Sequence, residues 1–429
     1  PIVGLVIIVL AALTTGSLEK TRFLQALEMA NLDAWIVSQN PSPSKDIVMV
    51  DIDQNDYHSA FASTSPLVAE GVKNLITKIA SAGARVIVVD LDTAHWTRED
   101  LPPGWLERLP HPLTADPSRV IWARTMSEER DGPVLQSRLA GREDKDLDEG
   151  KNTICWGVPE ILQSGGVVRS YRARIPTTIA GTTVPSLATA AAILFASADH
   201  RASRPTRPVR VTAVNCDAVS SQFESVYETL ILKAGSLKFD KYHSADVRAH
   251  EGFPLLGKIV VLGGTFAEAR DSYHTPAGTK DGLEILATAI ASELDDPKPL
   301  EPSGWEFITV DIVLGLLLLL AGRLLPRVID LLVVILGVPV AAFLGSYALY
   351  HSSSYFFSFM PVLLGVFLHK VFDQWREGHR ASKKIEGVEK LQEENMQLKR
   401  DLAALDDTRK TWSERDSVNV LVHITQERA

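Results

Sequence analysis

Apolar residues are nearly unbroken over one stretch of the chain, Trp305 to Val371, and elsewhere they alternate with polar ones at helical or strand spacing. Within that stretch lie FITVDIVLGLLLLLAGRLL (Phe307–Leu325), LLVVILGVPVAAFLGSYALY (Leu331–Tyr350) and YFFSFMPVLLGVFLHKV (Tyr355–Val371). Each has a length, about 17–25 apolar residues, that takes an α-helix across the hydrocarbon core of a bilayer. Open-ended backbone in lipid is satisfied only as helix, so the pattern predicts three membrane crossings. Arg323 and Arg327 occupy the first turn between them, and Lys370, Arg376, Arg380, Lys383 and Lys384 follow the third. The positive-inside bias puts that turn and the C-terminus in the cytoplasm. Residues up to about 300 are then expected outside. A fourth apolar run, Ile2–Leu13, opens the chain, which begins on Pro1 and not Met. It is expected to continue upstream as a signal-anchor, the alternative being the core of a cleaved signal peptide.

Before the crossings, the pattern changes to that of a folded domain. Leu18–Asn40 carries helical spacing at Phe23, Leu24, Leu27, Met29 and Leu32, and PSPS (Pro41–Ser44) ends it. DIVMVDID (Asp46–Asp53) and RVIVVDLD (Arg85–Asp92) are continuous apolar runs closed by acids. Between them lies a helix-spaced segment, Pro66–Ala84, with Pro at its start and Gly83 near its end. This is a βαβ unit, and such uniformly apolar strands suit a parallel sheet covered on both faces. RVIWAR (Arg119–Arg124), TICWGV (Thr153–Val158), VVRSYRARIPTTI (Val167–Ile179), RVTAVN and YETLILKAG (Tyr227–Gly235) supply further strands or short apolar runs. GREDKDLDEGK (Gly141–Lys151) is expected as a solvated loop, and His200–Pro208 as a basic turn. VPSLATAAAILFASA (Val184–Ala198) reads as a helix introduced by Pro185. KIVVLGG runs as a core strand into paired glycines, and DGLEILATAIASEL is an amphipathic helix leading to the first crossing.

Composition fits this layout. A chain of 429 residues suggests about two to three units, and mean hydropathy of +0.05 beside 23% charged residues is what crossings averaged with a polar domain give. A net charge of −9 with no basic domain excludes nucleic acid as a partner. Both cysteines, Cys155 and Cys216, fall in the expected external region. There they either pair as a disulfide or remain small buried side chains.

The ordered series DIVMVDID, AGARVIVVDLD, VPSLATAAA, SADV, LLGKIVVLGGT, DSYHTPAG and DGLEILATAIASEL, followed by three crossings, resembles the CHASE2 domain. The resemblance covers about residues 40–300 and the membrane block. It departs from the family at STSPLV (Ser63–Val68), where a Trp-rich turn is common, and at the acidic Gly141–Lys151 loop. It implies an extracytoplasmic sensory domain of a bacterial transmembrane receptor, set upstream of a cyclase, a kinase or another output, in the cytoplasmic (inner) membrane. It implies no particular ligand and no cofactor.

Parallel α/β sheets bind ligands beyond the carboxyl ends of their strands. Three such ends are polar: Asp51 and Asp53, Asp90 and Asp92, and Gly263 and Gly264, whose following loop adds Asp271 and His274. Together they form a candidate site for a divalent cation or a cationic ligand; alternatively the acids cap helices and close turns. Asp90 and Asp271 are the leading candidates. The paired glycines lack G-x-G-x-x-G and the P-loop pattern, so a nucleotide site has no support. Nor does G-x-S-x-G or H-E-x-x-H occur, the 11 His are scattered, and no catalytic constellation stands out in residues 1–410. A metal-dependent hydrolase requires Asp51, Asp90, Asp271 and His274 to cluster. Asp311, inside the first crossing, is expected to reach the outer headgroups or to make a polar contact within the bundle.

Beyond the crossings, Val388, Leu391, Asn395, Leu398, Leu402 and Leu405 follow a heptad as a, d, a, d, a, d. Leu at d with a single Asn at a selects a parallel two-stranded coiled coil, hence a homodimer. SVNVLVHI (Ser417–Ile424) alternates like one strand, the start of an output domain or part of a tail. The expected chain is thus an α/β extracytoplasmic domain with a mixed, mainly parallel sheet, an α-helical transmembrane bundle and a cytoplasmic coiled coil. Its segments are an anchor (1–16), a linker helix (17–40), a sensory domain (41–300), three crossings (305–372), the coil (375–412) and the terminal segment (413–429). Its partners are the bilayer, a second copy and an unidentified external ligand or protein. The rival expectation is a scaffold that holds a partner outside and assembles a complex through the coil. A polar pocket at the strand ends favours the sensor; a flat apolar patch favours the scaffold.

Overall fold

The computed structural model describes residues 22–38, 42–65, 67–93, 96, 119–123, 126–129, 132–135, 154–176, 183–197, 229–232, 237–250, 254–269, 271–295, 337–353, 375, 378–379 and 381–410. The chain divides into two compact units. One comprises Glu19–Phe307 with Pro339–Met360, and the other comprises Pro1–Leu18, Ile308–Val338 and Pro361–Ala429.

The first unit opens with α1 (Arg22–Ser38), β1 (Ser42–Ile52), α2 (Gln54–Ser59), α3 (Ala69–Ser81) and β2 (Val86–Asp90). Next come β3 (Arg119–Ala123), β4 (Met126–Glu129), β5 (Gly132–Leu135), β6 (Ile154–Gly157), β7 (Ile161–Ser164), β8 (Val167–Arg172), β9 (Arg174–Pro176) and β10 (Thr183–Pro185). The unit continues through α4 (Leu187–Ser197), β11 (Thr229–Ile231), β12 (Leu237–His243), α5 (Ser244–Ala249) and β13 (Ile259–Gly264). β14 (Ser272–Thr275), β15 (Gly278–Asp281) and α6 (Gly282–Leu294) complete the domain, and α7 (Val338–Ser353) lies beyond it in sequence. The second unit includes a helix over residues 381–410, α8.

Six strands form a parallel sheet in the order β12-β1-β13-β2-β3-β6. A second, mixed sheet runs β11-β8-β14-β15, with β7 also on β8. Alternate residues of the parallel strands feed two separate cores. Val50, Ile52, Val89, Val120 and Leu262 face α3, where Val72, Leu75, Ile76 and Ile79 fill the space. Ile47, Met49, Val88, Ile121 and Val261 face α4 and α6. Covered on both sides, β13 is buried along its whole length, which is why its sequence is apolar without alternation.

The βαβ unit and the terminal helix α6 lie where the sequence predicts them, and the short apolar run at Arg119 forms β3. Gly83, at φ +89°, turns the chain after α3, a backbone conformation that glycine adopts without steric cost. The differences are instructive. β1 begins inside PSPS, at Ser42. It tolerates Pro43 because β13 joins only from Ile47 and the pairing with β12 is irregular between Pro43 and Val48. Pro185 ends a short strand and does not start α4. Ser186 introduces the helix instead, its Oγ accepting from the Thr189 amide at 3.1 Å. β12 was not anticipated: LKFDKYH alternates with a wet face, as an edge strand does. Nor were the hairpins β4–β5, β7–β8 and β14–β15; Gly165 and Gly166, both at positive φ, make the second of these turns.

Among the described residues no helix is long and apolar enough to cross a membrane. All of Phe307–Leu325 and Tyr355–Val371, with Asp311, lies outside the described residues, as do the acidic loop Gly141–Lys151, Cys216 and Ser417–Ile424. Of the second expected crossing, α7 is described, and its Val340, Phe343, Leu344 and Tyr347 are exposed. Two of these meet α1: Trp35 stands edge-on to Phe343 and Tyr347 at ring distances of 5.8 and 5.9 Å.

Candidate ligand cavity at the strand ends

At the carboxyl edge of the parallel sheet, Asp51, Gly263 and Asp90 lie side by side in register on β1, β13 and β2. In-register residues of parallel strands project to one face, here the face covered by α6. Gly263 lies under the first turn of α6, and a Cβ there would meet Leu283 Cδ1 at 2.8 Å. Leu283 therefore separates the two carboxylates, and their surroundings differ.

Asp51 is buried at 1% exposure and is neutralised from the edge strand. Lys241 Nζ lies 3.1 Å from its Oδ2, His243 Nδ1 lies 3.1 Å from its Oδ1, and Thr265 Oγ1 donates to Oδ2 at 3.0 Å. Asp53 caps α2, its Oδ1 accepting from the Asp56 amide at 2.8 Å. Of the residues singled out in the sequence, Asp53 thus takes the capping role. Lys241 and His243 were missed because β12 was missed; its alternation holds only over Leu237–Asp240, too short a signal to stand out. Asp56 was also missed. It is 2% exposed, accepts from Ser244 Oγ at 2.5 Å and the Ala245 amide at 3.0 Å, and pairs with Arg248 at 3.3 Å, joining α2 to α5.

Asp90 has no such support. It is half-buried at the end of β2, and burial, then the neighbouring Asp271 carboxylate, pushes its pKa from 3.8 up to about 7. Asp271 is held at the start of α6, where the Gly282 amide donates to its backbone oxygen at 2.8 Å. Burial raises its pKa too, against a hydrogen bond from Tyr273 that lowers it, and Asp281 adds a further rise. Burial and Asp271 together push the Tyr273 phenol up to about 12. Raised acids of this kind, paired in a cleft, mark a candidate functional site.

Asp90 and Asp271 both line a cavity of about 370 Å³, together with Asp92, Gly264, Phe266 and Tyr273. Its opposite wall comes from the β6–β7 connection and β8, through Glu160, Ile161 and Tyr171, and its floor from Ile285, Leu286 and Ala289 of α6. Of the eight site residues expected from the sequence, Asp90, Asp92, Gly264 and Asp271 reach this cavity. Asp51 and Gly263 lie beside Asp90 in the sheet, and Asp53 caps α2. His274 turns elsewhere, its exposed ring sharing a hydrogen bond with Thr279 across the β14–β15 hairpin at 3.1 Å. No three His, Cys, Asp or Glu side chains come together as metal ligands among the described residues. The hydrolase expectation required Asp51, Asp90, Asp271 and His274 to cluster, and it is corrected here: edge-strand pairing holds Asp51 and hairpin geometry holds His274. Cys155 stands on β6, the strand at the other edge of the parallel order, in register with Ile121.

The model of the CHASE2 domain matches residues 3–322. The chain belongs to the CHASE2 domain family. CHASE2 domains are extracellular sensory domains of membrane proteins, so this chain has a sensor role at a membrane. The match spans the α/β domain with its cavity and reaches into the first apolar run before Arg323. No curated protein and no solved structure gives a significant match.

Proposed function

We propose that this CHASE2 protein is a transmembrane signal receptor whose stimulus is read in the cavity beside Asp90 and Asp271. The observation that carries this reading is the cavity itself: about 370 Å³, roofed by one sheet and floored by α6. It lies beyond the carboxyl ends of parallel strands, where such sheets bind ligands. A polar pocket at that place favours a sensor over a scaffold.

In this reading residues 1–16 anchor the chain and 17–40 link anchor to domain. Residues 41–300 sense outside, and the crossings within 305–372 span the bacterial inner membrane. Residues 375–412 form a dimeric coil that relays the event to a cytoplasmic output of cyclase or kinase type, with 413–429 leading toward it. Support for the coil comes from α8, where Val388, Leu391, Leu398, Leu402 and Leu405 are all 55–67% exposed along one heptad stripe. A second copy would cover that stripe. Support for relay comes from α6, which floors the cavity and leads toward the first crossing.

Cysteine chemistry on the full chain in bacterial membranes tests this. Glu268→Cys should react with an impermeant maleimide in intact cells, and Lys383→Cys only after permeabilisation. Leu391→Cys should give disulfide-linked dimers, and Ala289→Phe, which fills the cavity from its floor, should change their yield. Reversed labelling, or dimers insensitive to the filled cavity, would overturn the receptor reading.

A further inference from the structure

The cavity wall carries acids whose hydrogen-bonding capacity is not filled. No donor among the described residues reaches the Asp90 carboxylate, and the charge acting on it is that of another acid, Asp271. Arg172 takes Oε1 of Glu160 at 3.0 Å and leaves Oε2 buried without a hydrogen-bond partner. Tyr171 is 2% exposed, and its hydroxyl is buried beside Glu293. Burial and then nearby Glu293 raise the Tyr171 pKa well above the usual phenol value. Glu293 also accepts from Thr189 at 2.5 Å. Asp92 and Glu268 add two more carboxylates, and the lining includes no Lys, Arg or His. Buried acceptors that lack donors are costly, so the complement of this wall is a cation that carries hydrogen-bond donors.

Two kinds of cation come into question, and the geometry separates them. A bare divalent ion needs about six to eight oxygen ligands converging on one point, whereas no three acidic or imidazole side chains converge among the described residues. The remaining surface is apolar: Phe266, Ile285 and Leu286 face the same space. The volume falls in the range of small-molecule sites, about 300–1,000 Å³. We propose that the cavity binds a small organic cation, an ammonium group on an apolar body, with the ammonium facing Asp90 and Asp271 and the body against Phe266, Ile285 and Leu286. This rests on the receptor reading only for its consequence; the binding itself does not require it.

Binding is coupled to protons. Near neutral pH the Asp90–Asp271 pair holds a proton that the incoming ammonium expels to solvent, leaving both carboxylates charged. The groups facing this pair are Asp92 after β2, Glu160 before β7, Tyr171 on β8, Glu268 after β13, Tyr273 on β14 and Asp281 at the end of β15. All are acids or phenols, so none reverses the sign. Affinity should fall about tenfold per pH unit as pH drops below neutral.

The test is calorimetric titration of the purified full chain in nanodiscs with phenethylammonium, putrescine and choline. Neutral 3-phenylpropanol, anionic 3-phenylpropionate and Ca²⁺ serve as controls. At least one ammonium should bind saturably, release close to one proton at about pH 6, and bind at least tenfold more weakly to Asp90→Asn and to Asp271→Asn. The neutral and anionic analogues should not bind. Failure of all three cations, equal binding of 3-phenylpropanol, binding of Ca²⁺ in their place, or wild-type affinity in both variants overturns the proposal. If one variant does not fold, as judged by its thermal melt, the other decides. Absence of cation binding with a dimer yield that responds to Ala289→Phe would remove the ligand class and keep the receptor. Cation binding with an unresponsive coil would do the reverse.

Discussion

The carboxylate of Asp271 occupies the space that a side chain on Gly282 would need: a Cβ built there collides with both carboxylate oxygens. The two residues are also joined through the backbone, the Gly282 amide donating to the Asp271 carbonyl at 2.8 Å. One cavity acid is thus seated on the first residue of the helix that forms the cavity floor, where the helix dipole favours negative charge. A shift of α6 moves Asp271, and a change in the charge of Asp271 acts on the end of α6.

Gly282→Ala is therefore expected to do more than a glycine-to-alanine change inside a helix, which by propensity alone stabilises. Forcing the Asp271 carboxylate out of its seat should cost about 1–3 kcal/mol, the usual range for overpacking. Urea denaturation of the full chain measures it, and a stabilised Gly282→Ala protein would show that Asp271 is not held there.

Asp90→Asn should change how stability depends on pH. Below pH 3.8 both the folded and the unfolded chain hold the Asp90 proton, and between 3.8 and about 7 only the folded chain does. Stability is therefore highest at the acid side of this window and falls as pH rises through it; above it the folded chain carries the full cost of the buried charge. The shift sets a ceiling of about 4 kcal/mol on that cost. The asparagine variant should be the more stable protein at about pH 8, with the difference shrinking toward pH 4. Melting temperatures across that range decide it, and parallel curves would contradict the placement of Asp90.

Arg169 holds the linker helix to the second sheet. Its Nε and Nη2 meet the two Asp33 oxygens at 2.5 and 2.7 Å, and both side chains are largely buried, at 11% and 29% exposure. Arg169→Ala should lose about 2–4 kcal/mol, because it strands a buried charge. Adding Asp33→Ala should recover part of that loss. A double-mutant cycle with no coupling energy would mean that the pair contributes nothing to docking α1.

In α8, Asn395→Leu should raise the stability of the assembled coil and relax its choice of two strands. Crosslinking of Leu391→Cys protein in membranes should then show species larger than the dimer. An unchanged pattern would leave Asn395 without a role in register.

Much of the parallel core was legible because it depends on local regularities. DIVMVDID, RVIVVDLD and KIVVLGG each hold four consecutive apolar residues, a run without alternation that suits a doubly covered strand, and the helix of α3 carries its own start and stop signals. Asp90 and Asp271 were identifiable as acids at a strand end and beside a glycine pair. What stayed hidden was the polar periphery: LKFDKYH and the hairpin around Gly278 contain too few apolar residues for periodicity to stand out.

By itself, then, the sequence determined which segments are apolar on two faces, on one face or on none, and through these the layers, the βαβ order and the CHASE2 membership. Only the tertiary structure decided the fates of its acids. Asp51 and Asp90 end equivalent strands in equivalent words, VDID and VDLD. One is paired with Lys241 from the neighbouring strand, while the other lies beside Asp271 in the wall of a cavity. That difference depends on which strand lies at the edge and which helix lies above, and on burial that long-range packing alone creates. A carboxylate's charge state follows from those neighbours, and they are distant in the chain.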